Sequence, residues 1–183
     1  STLAYADHIP ILLTTPSSLS PQALSAFEAL DIRQVIVMGG ELAVSDTVVR
    51  TLEAHGISVL RVAGADYTDT AIELAECELA ASTSDVGLGW HATGKLAVAR
   101  GDYYSDGLAG AVVAADGPAD VDPVPLLLTA SPTSMGSYLP TFLGAAGTAG
   151  LDGRRIVGFT VLGGPLAVSQ SVVNTLEVSL LGS

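Results

Sequence analysis

Three observations predict an α/β protein with mostly parallel β-sheets covered by helices. Short apolar runs alternate with segments of helical periodicity along the 183 residues. These runs are apolar throughout instead of at every second residue, which is typical of strands that a parallel sheet buries on both faces. The third observation is a repeat, since residues 35–53 and 159–177 are identical at twelve of nineteen positions. The sequence therefore predicts two tandem copies of one strand–helix unit.

The individual elements follow from local patterns. The run IPILLTT predicts a strand at 9–15 that Pro16 ends, and Ser20 followed by Pro21 gives an N-cap and first turn for a helix at 20–30. Gly56 closes the next helix. The remaining predicted ranges are strand 34–40, helix 45–56, strand 57–64, helix 66–82, strand 95–101, helix 105–116, strand 124–130, helix 134–146, strand 156–164 and helix 168–180.

The two copies do not contain the same parts of the repeat. Residues 9–15 match 124–130, and both runs lead through one helix to a double glycine. The strand and helix at 95–116 have no counterpart in the first copy, although residues 1–8 resemble the tail of such a helix. We therefore divide the chain into an N-terminally incomplete repeat, 1–60, and a nearly complete one, 61–183. An incomplete repeat leaves an open sheet edge, which we expect further repeats upstream or a homo-oligomer to cover.

Composition excludes some classes of partner. The net charge of -12 and the pI of about 4.3 argue against nucleic acid, whose phosphates require lysine and arginine. Mean hydropathy is high at +0.51, but no apolar run reaches the roughly 18 residues of a membrane span, so we predict a protein that does not cross the membrane. The single cysteine, Cys77, cannot form an intrachain disulfide, and we expect it in the core.

Enzyme motifs are lacking in the sequence. It contains neither GxxxxGK[ST] nor GxGxxG, no GxSxG elbow and no evident cysteine–histidine pair. We therefore predict no catalytic residues. A Toprim- or receiver-like enzyme remains an alternative, because Asp66 and Asp102 follow predicted strands, but no phosphate-handling lysine accompanies them.

The double glycines are candidate anion sites. The pairs Gly39-Gly40 and Gly163-Gly164 lie between a strand and a helix, where exposed N–H groups and the helix dipole attract phosphate or carboxylate. Alternatively, the glycines serve only the tight turn, with the serines at 45 and 169 as N-caps.

Other candidates lie at strand ends. Thr14 and Thr129 end the matched runs, at the edge where open α/β sheets place ligands. The arginines available to an anion are Arg61, Arg100, Arg154 and Arg155.

The segment GDYYSDG is a further candidate. Its carboxylates could hold a cation and its tyrosines could stack on sugar rings; the alternative is helix capping and packing. The residues concerned are Asp102, Tyr103, Tyr104 and Asp106. We assign no metal site to the chain.

The ordered motifs resemble a known family. They are PILLT at 10–14 and PLLLT at 125–129, GG followed by AVS in both copies, RVAGAD at 61–66 and GDYYSD at 101–106. This order resembles the cell wall-binding repeat 2 family, which implies tandem Rossmann- or Toprim-like repeats. It also implies a non-catalytic module, outside the cell at its surface or in its wall, that holds a protein to an anionic wall polymer or glycan through the PILL segments.

The sequence thus favours non-covalent cell-envelope attachment. The alternative from another class is a structural subunit of a self-assembling filament, sheath or surface lattice. We expect no cofactor. A divalent cation that bridges the acidic protein to an anionic polymer remains an open alternative.

Overall fold

The computed structural model describes residues 2–80, 87–90, 93–116, 123–151 and 153–181. Strands and helices alternate from residue 21 onward, as the sequence predicts. The helices are α1 (Thr2–Ala6), α2 (Pro21–Ala29), α3 (Asp46–Ala54), α4 (Tyr67–Leu79), α5 (Tyr104–Ala115), α6 (Leu139–Thr148) and α7 (Gln170–Leu181). The strands are β1 (Gln34–Met38), β2 (Ser58–Val62), β3 (Lys95–Arg100), β4 (Leu126–Thr129) and β5 (Gly158–Val161).

The strands form two parallel sheets, which confirms the predicted fold class. One sheet pairs β1 with β2, so that Val37 lies opposite Arg61. The other has the order β4-β3-β5, in which Ala97 of the central strand lies opposite Leu126 on one side and Thr160 on the other. All these pairings are parallel, so the carboxyl ends of the strands in each sheet meet at one edge.

The predicted strand at 9–15 is wrong. Its counterpart at 124–130 contains β4, but residues 9–15 have no strand geometry. An extended run becomes a strand only where a neighbouring strand takes its backbone hydrogen bonds, and β4 has β3 beside it. The segment instead ends in a local turn, where the Thr14 hydroxyl donates to the Ser18 carbonyl at 2.8 Å and accepts from the Ser20 N–H at 3.0 Å.

The largest core lies between β3, β4, α6 and α7. Its central leucines are completely buried: Leu96, Leu127, Leu139, Leu143 and Leu176. A smaller core packs β1 against α3 through Val37, Val48 and Leu52. Apolar strands therefore bury against helices in both halves of the chain, which is the layer arrangement expected for this fold class.

Two buried titratable side chains lie on neighbouring positions of α4. Cys77 is buried, as predicted, and burial raises the pKa of its thiol. Glu78 is 1 % exposed beside a cluster of Leu3, Leu79 and Trp90. Burial, with a smaller contribution from the Asp7 carboxylate, raises the pKa of Glu78 to about 8. The Glu78 carboxyl is therefore mostly protonated at neutral pH.

The same backbone hydrogen bond closes both copies of the repeat. The Ser45 N–H donates to the Pro16 carbonyl at 2.8 Å, and the Ser169 N–H donates to the Pro132 carbonyl at 2.8 Å. Each bond ties the turn after the PILLT or PLLLT run to the N-terminus of the helix that follows the double glycine. The two halves keep this link even though only one of the runs forms a strand.

Candidate functional site

The carboxyl end of the central strand of the three-stranded sheet carries a compact group of charged and aromatic side chains. Arg100 ends β3, and its Nε and Nη2 atoms each donate to one oxygen of Asp102 at 2.9 Å. This bidentate pair raises the pKa of Arg100 and lowers the pKa of Asp102. The guanidinium carbon lies 5.7 Å from the centre of the Tyr103 ring, and the Tyr103 and Tyr104 rings stack at 5.2 Å. An arginine, a carboxylate and two exposed aromatic rings therefore form one surface.

The second double glycine joins the same surface. Asp106 lies in the first turn of α5, and a Cβ added at Gly163 would lie 3.1 Å from its carboxyl carbon. The GDYYSDG segment and the pair Gly163-Gly164, which the sequence analysis treats as separate candidates, are thus one candidate site. Asp106 gives the Gly163 side of this site negative charge, so an anion meets favourable charge mainly near Arg100.

The two glycines of each pair have different structural roles. Gly163 has φ +105° and Gly39 has φ +92°, and a Cβ at these positions would lie 2.8 Å and 2.9 Å from the Cβ atoms of Ala167 and Ala43. The turn therefore requires the first glycine. A Cβ at Gly40 or Gly164 would meet nothing within 4 Å, and neither residue has positive φ. Nothing in the described fold requires the second glycine.

The double glycines do not adjoin the helices directly. Helix α3 begins at Asp46, and Gly40 instead accepts hydrogen bonds from Ala43 and Val44 in an intervening turn. The Gly39 N–H donates to the Val62 carbonyl at 2.8 Å, so it is not available to a ligand. Anion binding by these backbones stays a prediction, and in the first copy the N–H groups of Gly39, Ala43 and Val44 are already engaged within the protein.

Arg61 organises the equivalent edge of the two-stranded sheet. Its Nη1 donates to the Gly39 carbonyl at 2.7 Å, and its Nη2 donates to Asp46 at 3.3 Å. The side chain is 24 % exposed. Arg61 therefore holds the strand-to-helix turn in place and presents only part of its guanidinium to solvent.

The two threonines do not share an environment. Thr129 is completely buried and its hydroxyl donates to the Ser131 carbonyl at 3.1 Å, so it shapes the turn and is not exposed to solvent. Thr14 is half-buried and occupied by the turn at 18–20. Tyr67, which the sequence analysis missed, lies close to Thr129: its hydroxyl donates to the Ala130 carbonyl at 2.6 Å, and its ring covers Gly101. The tyrosine directly after Asp66 is the only sequence signal for this role.

The remaining arginines lie elsewhere. Arg154 and Arg155 precede β5, at the amino end of the sheet, and Arg155 donates to the Gly147 carbonyl at 2.6 Å. Arg33 precedes β1 and pairs with Asp31 at 2.5 Å. Arg50 lies within α3. Arg61 and Arg100 are therefore the arginines at the carboxyl edges of the two sheets.

The two aspartates on which a Toprim- or receiver-like enzyme would depend, Asp66 and Asp102, already have hydrogen-bond partners in the protein. Asp66 is the N-cap of α4 and accepts from the Thr68 hydroxyl at 2.6 Å and from two backbone N–H groups. The Thr68 hydroxyl is the largest cause that lowers the pKa of Asp66. Asp102 is paired with Arg100 and its pKa is lowered too. General acids work with a pKa near neutrality, and neither carboxyl is shifted in that direction.

The described residues offer neither a metal-ligand cluster nor a helix that could span a membrane. Within the described ranges, histidine, cysteine and acidic side chains form no group of three or more that could hold a metal ion. The helices of the same ranges are all too short or too polar to cross a membrane.

Comparison with known proteins gives a consistent picture. The family model for cell wall binding domain 2 (CWB2) matches residues 1–49 and 61–173. The chain is 28 % identical over 174 residues to N-acetylmuramoyl-L-alanine amidase LytC of Bacillus subtilis (strain 168), which covers 95 % of this chain and 30 % of that protein.

Two solved structures share the fold. Cwp8 from Clostridium difficile superposes with a TM-score of 0.64 and 23 % identity, and Cwp6 from the same organism with 0.67 and 19 %. Each covers 96 % of this chain, which spans 26 % and 24 % of theirs. The chain thus corresponds to about a quarter to a third of the proteins that it resembles.

Proposed function

The chain belongs to the cell wall binding domain 2 family, and we propose that it is a non-catalytic module that attaches a protein to the cell envelope by binding an anionic wall polymer non-covalently. The family match over most of the chain carries this proposal. Such modules bind the wall and act at the cell surface. The match to the amidase covers only 30 % of that protein's length, so the proposal does not extend amidase activity to this chain.

We place polymer binding at the carboxyl edge of the three-stranded sheet. Arg100 uses Nε and Nη2 to hold Asp102, and a guanidinium has five N–H donors, so three remain for a phosphate or carboxylate of the polymer. Tyr103 and Tyr104 are 53 % and 72 % exposed and offer flat faces to sugar rings. Gly164 leaves room for the polymer backbone to approach the turn.

The equivalent edge of the other sheet offers a second, weaker contact. A Cβ added at Gly40, as at Gly164, would meet no atom within 4 Å. Arg61 donates to the carbonyl of the adjacent Gly39. Arg61 has already committed two nitrogens to Gly39 and Asp46, so its contribution is smaller. Thr14, Thr129, Gly39 and Gly163 support these edges by shaping their turns.

The charge of the protein predicts an unusual salt dependence. With a net charge of -12, the chain repels an anionic polymer at long range. Raising ionic strength from 0.01 to 0.15 M shortens the Debye length from about 30 Å to about 8 Å and screens that repulsion. Binding should therefore strengthen over this range. If a chelator releases the protein from the polymer at 0.15 M salt, a divalent cation bridges the acidic protein and the anionic polymer.

Co-sedimentation with purified cell walls tests the proposal. We compare walls before and after acid extraction of their anionic polymers, with the unchanged chain and with Arg100→Gln and Gly164→Ala. The matched control is Arg33→Gln, which removes an arginine that also pairs with an aspartate two residues away but lies at the amino end of the two-stranded sheet.

We expect binding to disappear after extraction and Arg100→Gln to weaken it at least about tenfold, because a charge-assisted hydrogen bond is worth roughly 1.5–3 kcal/mol. Arg33→Gln should bind as the unchanged chain does. Binding that survives extraction would refute the anionic polymer. Large particles formed by the protein without walls would favour the structural subunit, and soluble products released from walls, lost in Asp102→Asn, would favour an enzyme.

A further inference from the structure

Two leucines are almost completely exposed at equivalent places in the repeat. Leu42 is 97 % exposed and Leu166 is 92 % exposed, and each lies two residues after a double glycine. A side chain with so little cover packs against almost nothing in its own chain. Turns favour glycine, asparagine, aspartate and serine, each for a conformational or hydrogen-bonding reason that leucine does not share. The fold therefore gives no reason for a leucine at either place.

The turns that contain these leucines are alike. In the first copy the Ala43 N–H donates to the Gly40 carbonyl at 2.9 Å, and in the second the Ala167 N–H donates to the Gly164 carbonyl at 2.8 Å. Each leucine lies directly before the donor of this bond, within the turn that the bond closes. The two leucines thus occupy the same position of the same backbone turn.

The exposed neighbours of the leucines differ between the copies. Positions that are exposed in both copies but not identical are Glu41 against Pro165, Asp46 against Gln170, Thr47 against Ser171 and Arg50 against Asn174. The leucine is identical, as is one glutamate in the helix, Glu53 against Glu177. A single exposed leucine is common on protein surfaces and needs no explanation. A leucine that both copies keep while its neighbours change indicates a role for the side chain itself.

Both leucines lie at the carboxyl edges where we place polymer binding. The turn that contains Leu166 begins at Gly163, whose added Cβ would lie 3.1 Å from the Asp106 carboxyl carbon, so this turn borders the surface built by the GDYYSDG segment. In the first copy, Arg61 donates to the Gly39 carbonyl at 2.7 Å, at the start of the turn that contains the other leucine. Each edge therefore offers an apolar side chain in addition to its arginine.

We propose that Leu42 and Leu166 are contact residues for the wall polymer, and that this polymer is a glycan whose sugar rings present C–H faces and methyl groups to them. A leucine side chain has no donor or acceptor, so it recognises hydrocarbon surface and not phosphate. A sugar-free polyol phosphate chain offers less of this surface. The inference rests on the proposed function and names the class of polymer, which the arginines leave open because they recognise negative charge alone.

Co-sedimentation with purified cell walls measures the contribution of the leucines. We compare the unchanged chain with Leu42→Ser, Leu166→Ser and the double variant. The matched control is Leu30→Ser, because Leu30 is 57 % exposed but lies between α2 and β1, at the amino end of its sheet. We expect each single change to weaken binding at least about threefold and the double change at least about tenfold, since both remove apolar contact area. Leu30→Ser should bind as the unchanged chain does.

The leucine variants should keep the fold, because the side chains that they replace pack against almost nothing. Urea unfolding should therefore give the same midpoint for the double variant as for the unchanged chain. Replacement of chloride by sulfate at constant ionic strength then separates apolar from charged contacts, because sulfate strengthens apolar burial. The ratio of the affinities of the unchanged chain and the double variant should rise in sulfate, whereas the ratio for Arg100→Gln should not.

Soluble competitors identify the class of polymer. Polymer released from the walls by acid extraction should displace the unchanged chain from walls, and sugar-free poly(glycerol phosphate) should displace it at least about tenfold less effectively. Equal displacement by the two competitors, or full binding by the double leucine variant, would overturn this inference and leave the proposed function standing. If the unchanged chain does not bind walls at all, both fail. Sedimentation velocity without walls provides the last check: a self-associated state that the leucine variants lose would assign these residues to a contact between copies, against the proposal.

Discussion

Replacing the glycines of one pair separately tests the geometry of the strand-to-helix turn. Gly163→Ala forces a side chain into φ +105° and places its Cβ 2.8 Å from Ala167 and 3.1 Å from the Asp106 carboxyl. Left-handed backbone costs a non-glycine residue roughly 1–2 kcal/mol, and overpacking adds roughly 1–3 kcal/mol. We therefore expect the free energy of unfolding to fall by about 2–5 kcal/mol. Gly164→Ala meets no atom within 4 Å and should stay within about 0.5 kcal/mol of the unchanged chain.

Urea unfolding followed by far-UV circular dichroism measures the difference. With a slope on the order of 1–3 kcal/mol per M, the midpoint of Gly163→Ala should shift down by about 1 M or more, at an unchanged slope. Gly39→Ala and Gly40→Ala repeat the comparison in the first copy, where the closest atom to the added Cβ of Gly39 is Ala43 at 2.9 Å. The reasoning would be refuted if both glycines of a pair lost the same free energy of unfolding on replacement, or if Gly163→Ala lost none.

Three further predictions concern stability. In the folded protein Glu78 keeps its proton from its ordinary pKa of 4.5 up to about 8, and the unfolded chain does not. The free energy of unfolding should therefore fall as pH rises through this window, by at most about 1.4 kcal/mol per unit, and urea unfolding at several pH values should show a flatter profile for Glu78→Gln. Leu127→Ala should cost about 2–5 kcal/mol, whereas Leu12→Ala should cost clearly less because Leu12 is only half-buried; equal midpoint shifts would contradict the exposure difference. Asp66→Ala removes the N-cap of α4 and should cost about 1 kcal/mol at pH 7; because the pKa of Asp66 is lowered by folding, this difference should vanish as pH falls through that lowered pKa.

The matched runs PILLT and PLLLT show what local pattern can and cannot predict. Both are apolar and both precede a helix, so periodicity assigns a strand to each. Only the run at 125–129 becomes one, because β3 lies beside it. A strand is completed by a partner that is remote in sequence, and a local pattern contains no information on whether that partner is present. The other predicted strands and helices succeed because their partners are there.

The candidate site shows the same limit at the level of side chains. GDYYSDG and the double glycine are visible as separate motifs, and parallel pairing explains why their strand ends meet. The pairing of Arg100 with Asp102 and the cover that Tyr67 places over Gly101 depend on side-chain directions at the sheet edge. The motifs therefore identify most members of the site but not which of their groups remain available to a ligand.

The bond between the serine N–H and the proline carbonyl, 2.8 Å long in both copies, has an evolutionary consequence. It consists only of main-chain atoms, so almost any residue except proline can supply the donor, and any residue can supply the acceptor. Mutation can rewrite the neighbouring side chains without breaking it. The two units can thus drift apart in sequence, one edge specialising while the other does not, and still keep the same path of the chain. Duplication therefore provides a second surface whose side chains can change without disrupting the fold.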